Sequence, residues 1–561
     1  MSERKRILLF SEGVTASQIV RLVTLGRSLD RDRFEVFFAC SEFAESIFAG
    51  TGFARRKVHS LDPKQVLRAV RQGRRLYDER LLRQQVAEDL ELFRDVRPDL
   101  VVGDFRWSLA VSAPVHGVPH AALVNAYWSP YREHASFPVP DHPIVGVLGE
   151  TLTARYFPKA LPRVFSWFAA PLNALRRAHG LPELGSLPEV LTHGDYTLYA
   201  DPEELVPTRN APETHLHLGF VPWAPSAPLP PELDQAPKGR PLVYATLGSS
   251  GNVDLLPRLV EALGRLPVTG LVATAGRRTL RRVPPNVLLT DYAPGDLAAR
   301  RAAVVVSNGG SSTTYQALAE GTPVLGLPSN LDQFLAMDAV ERHSAGLLQR
   351  ARSATADSIE SALTRLLDST AHREGAARVG AMIARASAPV RFANFVERAS
   401  SRPNAGTRRA VSASVPRVKV PRAAVLGLGG VLGLATTSAE IAHAESRGEI
   451  HFTSKVPGTG GQVICALFQE SGWLETPLQN VKTALRGSEA TCVFQRVRPG
   501  TYAIVAFHDA NGNGDIDKNF LGLPTESWCA SRDAPAIFGP PSFGAAKFRT
   551  GTGVVRLGCT M

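Results

Sequence analysis

Ser307 to Gln333 reads SNGGSSTTYQALAEGTPVLGLPSNLDQ and follows an apolar run, Ala302 to Val306. The run has the composition of a parallel strand buried on both faces. Asn308, Gly309 and Gly310 make a turn that lets backbone amides approach an anion closely. Ser312, Thr313 and Thr314 then open a helix whose hydroxyls and unsatisfied N–H groups suit a diphosphate. A further strand, Pro323 to Leu327, leads to Asp332 and Gln333, a carboxylate and an amide able to hydrogen-bond sugar hydroxyls. Strand, phosphate turn, helix and strand in that order give an α/β protein with a site shaped for a nucleotide sugar.

A glycine-serine turn can also serve packing alone, so the spacing carries the weight. The layout resembles the donor signature of the UDP-glucuronosyltransferase and macrolide-glycosyltransferase type. There a His-x-Gly-x-x-Ser-Thr turn precedes, by twenty-five positions from the His, the Gln of an Asp-Gln or Glu-Gln pair. Asn308 and Gln333 stand at that interval, with Asp332 just before. The resemblance covers about residues 1 to 400 and implies two facing Rossmann-like domains, the glycosyltransferase-B arrangement.

Working outward, Arg6 to Phe10 reads as a strand, Ser17 to Leu29 as an amphipathic helix and Phe34 to Cys40 as a second strand. RPDLVVGD, Arg97 to Asp104, is a buried strand ending in a carboxylate, at the sheet edge where ligands of open α/β sheets sit. A second α/β unit begins with PLVYATLGSSGN: the strand Leu242 to Thr246 is followed by Gly248, Ser249 and Ser250, another turn suited to phosphate. Strands are also predicted at Gly270 to Thr274, Val287 to Leu289 and Val304 to Ser307. The expected division is an acceptor-binding domain over 1–222, a Pro-rich linker over 223–239, a nucleotide-sugar domain over 240–388 and a helix over 389–400 that returns to the first domain.

Inverting members of the resembled family take the acceptor proton with a His that a later Asp orients. In register with Leu25 to Leu29 that His falls on Gln18, which cannot act as a base, whereas the Asp falls on Asp104. Asp104 itself, or a loop His such as His116, His120 or His134, is then the expected base. In the donor site Asn308 replaces a diphosphate-contacting His, and Gln316 replaces a Glu that binds ribose, leaving uridine and thymidine nucleotides both open. No Asp-x-Asp is placed to hold a metal in the cleft, so transfer without a metal or other cofactor is expected, with helix-terminus donors stabilising the leaving diphosphate. The aromatic segment Asn125 to Phe168 matches the region that lines the family's acceptor pocket, implying a bulky apolar small molecule or lipid as acceptor. The competing readings are a nucleotide-sugar binder that lost its base at Gln18, and a nucleotide-sugar 2-epimerase, whose cluster of acidic and His groups the sequence does not offer.

The 561 residues carry a net charge of +11. The cations are spread along the chain but stand out around Arg68 to Arg83 and over Arg398 to Arg422; such patches read as solvated faces or as a peripheral contact with anionic lipid, and no nucleic-acid partner is expected. Cysteine usage divides the chain more sharply: Cys40 stands alone, whereas Cys465, Cys492, Cys529 and Cys559 all fall near the end. Four cysteines in so short a segment suggest two disulfides and an oxidising compartment. Before them, Arg417, Lys419 and Arg422 precede the uncharged run Ala423 to Ala439 and an Ala-x-Ala site, Ala442 to Ala444. This has the anatomy of a secretory signal placed mid-chain within the basic linker 401–447. Membrane association is therefore expected, with 1–416 on the cytosolic face and 448–561 periplasmic or exported.

The tail alternates as an all-β module in GEIHFTSK, GQVICALFQ, ATCVFQRV and GTYAIVAFHD. In HDANGNGDIDKNF, Asp509, Asn511, Asn513 and Asp517 follow the alternate-oxygen spacing of a calcium loop. Phe520 stands where the bidentate Glu belongs, so Ca²⁺ competes with a ligand-free Asn/Gly turn. His508 to Glu526 and Phe538 to Phe543 resemble a bacterial family of exported domains of unknown function, number 2141, which implies a small β-sandwich.

Overall fold

The structure is a computed structural model. It describes residues 4–401 and 448–561, except 63–64, 67–68, 70–74, 135, 140–142, 223–227, 236, 238, 249–250, 275–279, 281, 457–459, 474–475, 510–511, 513, 515–526 and 535–542. The chain forms two compact units, residues 1–408 and 409–561. Ser249, Asn511, Asn513, Asp517 and the signal-like segment lie outside the described residues.

The first unit opens with β1 (Lys5–Ser11), α1 (Ala16–Arg27), β2 (Phe34–Cys40), β3 (Ala54–Lys57), α2 (Glu79–Val96), β4 (Leu100–Asp104) and β5 (His120–Val124). The long helix α3 (Pro143–Ala178) leads to β6 (Tyr196–Tyr199) and β7 (His215–His217). Among the described residues these strands form one parallel sheet in the order β3-β2-β1-β4-β5-β6-β7. Both faces of β1 are buried. Ile7 and Leu9 pack with Val23 of α1, while Leu8 and Phe10 pack with Phe93 of α2. A side chain at Gly26 would run into Leu9 and Phe53, so this glycine lets α1 lie close on the sheet.

The second sheet comprises β8 (Leu242–Thr246), β9 (Thr269–Ala273), β10 (Val287–Thr290), β11 (Val304–Ser307), β12 (Val324–Gly326) and β13 (Gly346–Leu348). It is parallel, in the order β10-β9-β8-β11-β12-β13. Helix α4 (Ser311–Ala319) follows β11 and α5 (Leu331–Arg342) follows β12. Helix α6 (Ala388–Ser401) crosses back: Phe392, Phe395 and Val396 join the core of the first sheet, and Ser28 Oγ donates to the Pro389 carbonyl at 2.9 Å. The two domains share one apolar cluster, in which Tyr127 and Tyr199 of the first meet Tyr315, Ala336 and Met337 of the second.

The second unit has β14 (Gly448–Lys455), β15 (Gln462–Phe468), β16 (Gln479–Ala484), β17 (Glu489–Val497), β18 (Gly500–Asp509), β19 (Trp528–Ala530), β20 (Phe548–Thr550) and β21 (Val554–Thr560). They form a β17-β14-β21 sheet and a β16-β15-β18-β19 sheet, with β20 paired to β18. Their facing residues, Ile450, Phe452, Val463 and Ile504 among them, form one core. Disulfides Cys465–Cys492 and Cys529–Cys559 each join one sheet to the other. Asp509 is buried and accepts from Gln462 Nε2 at 2.7 Å and the Gly514 amide at 2.9 Å. Among the described residues no group of three or more His, Cys, Asp or Glu is placed to hold a metal. The expected calcium ion thus has no support there.

Candidate functional site

The turn after β11 is built from its own side chains. Ser307 Oγ accepts from the Gly309 amide at 3.0 Å, and Asn308 Oδ1 accepts from the Gly310 amide at 3.0 Å. Gly309 has φ +80°, a left-handed conformation that favours glycine, and a Cβ there would meet Met337 at 2.8 Å. Gly310 caps α4, and Thr314 Oγ1 lies 3.2 Å from Ser307 Oγ. Thr314 therefore braces the turn from inside, buried, while Ser312 is exposed and Thr313 half-buried in the first helical turn. The amides of that turn have no preceding helical carbonyl and carry the positive end of the helix dipole. The Gln316 side-chain amide lies against Gly295, where a Cβ would displace it.

Asp332 and Gln333 sit in the first turn of α5, whose cap Asn330 accepts from the Gln333 amide at 3.1 Å. Gln333 is buried, its Oε1 accepting from the Ser329 amide at 2.8 Å. That contact orients the amide. Asp332 accepts a 2.8 Å hydrogen bond from Trp128 Nε1 of the first domain. Burial pushes its carboxyl up, and the Trp128 contact opposes the shift. The Tyr127 hydroxyl lies close to Asp332 and Ser311 without a well-formed hydrogen bond.

Asp104 ends β4 at the carboxyl edge of the sheet, level with Ser11 of β1 and Leu123 of β5. Its side chain is 2 % exposed and grips Arg21 of α1. Arg21 Nε and Nη2 lie 3.1 and 2.8 Å from Asp104 Oδ2, and Nη2 lies 2.9 Å from Oδ1. Burial raises the Asp104 carboxyl to about 6, with Arg21 opposing. Burial lowers the guanidinium, but Asp104, Tyr127 and Asp201 together outweigh this and hold it above its ordinary value. Gln18, one turn earlier, accepts from the Thr15 amide at 3.3 Å and so closes the helix start.

The pair continues into a chain of hydrogen bonds across the two domains. Arg21 Nη1 donates to Asn125 Oδ1 at 2.8 Å, and Asn125 Nδ2 donates to Asp201 Oδ1 at 3.0 Å. Tyr315 of α4 donates to the same oxygen at 2.7 Å. Burial raises Asp201, with Asn125 and Tyr315 opposing. Helix α4 and Asp104 are therefore two ends of one polar network.

Sequence reasoning missed Arg21, Asn125 and Asp201. Arg21 interrupts the apolar run IVRLV, and Asp201 follows the buried strand YTLY just as Asp104 ends LVVGD. Those were the available signals. Of the His residues, His120 pairs with Val101 at the opposite, amino edge of the sheet, and burial and His193 push it down to about 3. His116 ends a helix running back to that edge and stacks near Phe93 at 5.4 Å. His134 is exposed in the loop beyond β5.

The aromatic segment divides in two. Trp128, Phe137 and Phe165 pack together, with Phe137 and Phe165 centroids 4.9 Å apart, and the group reaches Leu331 beside Asp332. Tyr156 and Trp167 point outward. Among the described residues no helix is long and apolar enough to cross a membrane.

Comparison with known proteins agrees with this geometry. Residues 258–398 match the family described as "Erythromycin biosynthesis protein CIII-like, C-terminal domain", and residues 454–557 match "Uncharacterized protein conserved in bacteria (DUF2141)". The chain is 44% identical over 380 residues to a "PGL/p-HBAD biosynthesis glycosyltransferase" of Mycobacterium tuberculosis, covering 68% of this chain and 89% of that protein. It is 44% identical over 379 residues to a "PGL/p-HBAD biosynthesis rhamnosyltransferase" of Mycobacterium bovis, covering 67% and 84%. Among solved structures, "Spinosyn Forosaminyltransferase SpnP" superposes with a TM-score of 0.53 at 22% identity, over 71% of this chain and all of that one. "Spinosyn Rhamnosyltransferase SpnG complexed with thymidine diphosphate" superposes at 0.51 and 19%, over 70% of this chain and all of that one. These likenesses at low identity show the fold. With the two-sheet fold and relatives 44% identical over most of their length in agreement, the chain belongs to the macrolide-type glycosyltransferases of the glycosyltransferase-B fold.

Proposed function

We propose that this glycosyltransferase moves a sugar from a UDP- or TDP-sugar to a hydroxyl of an apolar small molecule or lipid, with inversion and without a metal. The observation that carries the reading is the polar network joining the donor helix, through Tyr315, Asp201, Asn125 and Arg21, to Asp104. The amides and hydroxyls at Ser312 and Thr313, with Asn308, take the diphosphate charge, and Ser249, from the Gly-Ser-Ser turn after β8, is the further donor that the sequence offers. Asp332 and Gln333 hold the sugar hydroxyls, and Gln316 lies on the nucleoside side. The acceptor oxygen attacks the anomeric carbon as the bond to the diphosphate breaks, and its proton passes to Asp104. A carboxyl near 6 is ionised at neutral pH yet basic enough to take that proton. Arg21 keeps it oriented in place of the usual imidazole.

The thymidine diphosphate complex of the solved rhamnosyltransferase supports a TDP-sugar, and the Trp128, Phe137 and Phe165 group supports an apolar acceptor. For 448–561, the two inter-sheet disulfides support the periplasm or exterior.

The test incubates the full chain with UDP- and TDP-sugars and a panel of apolar alcohols and phenols, reading product by mass spectrometry with and without EDTA. The expected result is a glycosylated product that survives EDTA and is lost in Asp104→Asn while nucleotide still binds. Loss of product in EDTA, or full activity of Asp104→Asn, overturns the respective part.

A further inference from the structure

From Thr151 to Ala178 the chain has no Asp or Glu, yet it carries Arg155, Lys159, Arg163, Arg176 and Arg177. All lie on α3. Phe157, Leu161, Phe165 and Ala169 recur at helical spacing and are buried against the domain. The opposite face is exposed at Arg155, Tyr156, Lys159, Arg163 and Trp167. At about 100° per residue the three cations span one arc, and Tyr156 and Trp167 mark its border with the buried side. Tyr156 is 55 % and Trp167 44 % exposed, high for rings of that size. The Lys159 ammonium lies 5.8 Å from the Tyr156 ring, and the Arg75 guanidinium lies 4.3 Å over Trp167, adding a fourth cation.

Cations on the outer arc with aromatic rings at its margin match a helix lying in the plane of a bilayer interface, rings at the headgroup level and charges among anionic phosphates. We propose that this face of α3 docks on an anionic phospholipid surface, placing the acceptor-binding domain where a lipid-dissolved acceptor is met. The consequence for the acceptor rests on the reading of an apolar acceptor above; docking is measured with no transfer at all, so the two fail separately.

The experiment is co-sedimentation of the full chain with vesicles of phosphatidylcholine, with and without phosphatidylglycerol. Wild type should bind the anionic vesicles and release as salt is added. At about 1 kcal/mol per cation near the surface, Arg155→Glu/Lys159→Glu/Arg163→Glu should weaken binding on the order of a hundredfold. Tyr156→Ala/Trp167→Ala should weaken it severalfold and remove the salt-resistant part. Circular dichroism and melting check that each variant is folded, and Lys159→Glu alone serves if the triple variant is not. Undiminished binding by the charge variants would place any membrane contact elsewhere in the chain and overturn the proposal, as would absence of binding by wild type.

Discussion

Arg21 and Asp104 form a bidentate ion pair at the carboxyl edge of the first sheet, where the resembled family joins an Asp to a His. The guanidinium is 15 % exposed and the carboxylate 2 %. Two charges so far from water are held by each other and by Asn125. Asp104 is thereby fixed in direction and kept ionisable.

Breaking one side of the pair leaves an uncompensated buried charge. Arg21→Leu should lower stability by about 3–5 kcal/mol, whereas Arg21→Leu with Asp104→Asn should recover part of that loss. Urea unfolding of the single and double variants measures the difference. Equal losses in both would mean that Arg21 matters for packing alone.

Asp104 also sets a pH dependence. Its folded value of about 6 lies above its ordinary 3.8, so the folded state holds this proton more tightly. That contribution to stability is present below about 3.8 and is lost as pH rises through about 6. Relative to Asp104→Asn, wild type should therefore lose stability across that window and then level off. Transfer should move the opposite way, with kcat/KM rising through pH 6 as the carboxylate forms. Urea midpoints and initial rates over the same pH series check both signs.

Gln18→His restores the residue type of the resembled family without restoring the dyad, because Arg21 already orients Asp104 in place of an imidazole. The substitution also removes the Gln18 contact to the Thr15 amide. A stability loss of about 0.5–2 kcal/mol is expected, in the range for helix caps, with no gain in transfer. A gain of tenfold or more would show that the imidazole reaches Asp104 past Arg21.

Much of the fold was legible because buried parallel strands are short apolar runs with clear punctuation. Phe34 to Cys40, Leu242 to Thr246 and Val304 to Ser307 have the predicted bounds. The strands that sequence did not single out, such as Ala54–Lys57 and His215–His217, are edge strands, half-buried and polar in composition. Their pairing comes from the neighbouring strand. The shape of the turn from Ser307 to Thr314 was legible because its hydrogen bonds are local. The network beyond Asp104 was not, since Arg21, Asn125, Asp201 and Tyr315 come from four distant elements and meet only in the folded cleft. Gln18 stands where the resembled family has its base, and in the fold its side chain accepts from the Thr15 amide at the start of α1, a contact that spacing alone does not reveal.

Trp128 occupies the carboxylate expected to hold the donor sugar, through the 2.8 Å contact with Asp332. A sugar hydroxyl that reaches Asp332 must share or replace that indole. Donor binding should therefore change tryptophan fluorescence in wild type and leave Trp128→Phe nearly silent. Trp128→Phe should also cost about 1–3 kcal/mol of stability, since Asp332 loses a donor in a buried site. An unchanged fluorescence response in the variant would place the sugar away from Asp332.

The second unit should depend on its disulfides independently of transfer. Cys465–Cys492 and Cys529–Cys559 close separations of 27 and 30 residues and join opposite sheets. Loop-closure entropy puts each at about 3–4 kcal/mol, a large share of what a small domain retains. Reduction should accordingly lower the melting transition of residues 448–561 steeply. The transition of the first unit, whose one cysteine, Cys40, is free and buried, should stay in place. Scanning calorimetry with and without reductant resolves the two transitions. A common shift of both would show that the units unfold together, and no shift of either would show that the sheets are held by their apolar core alone.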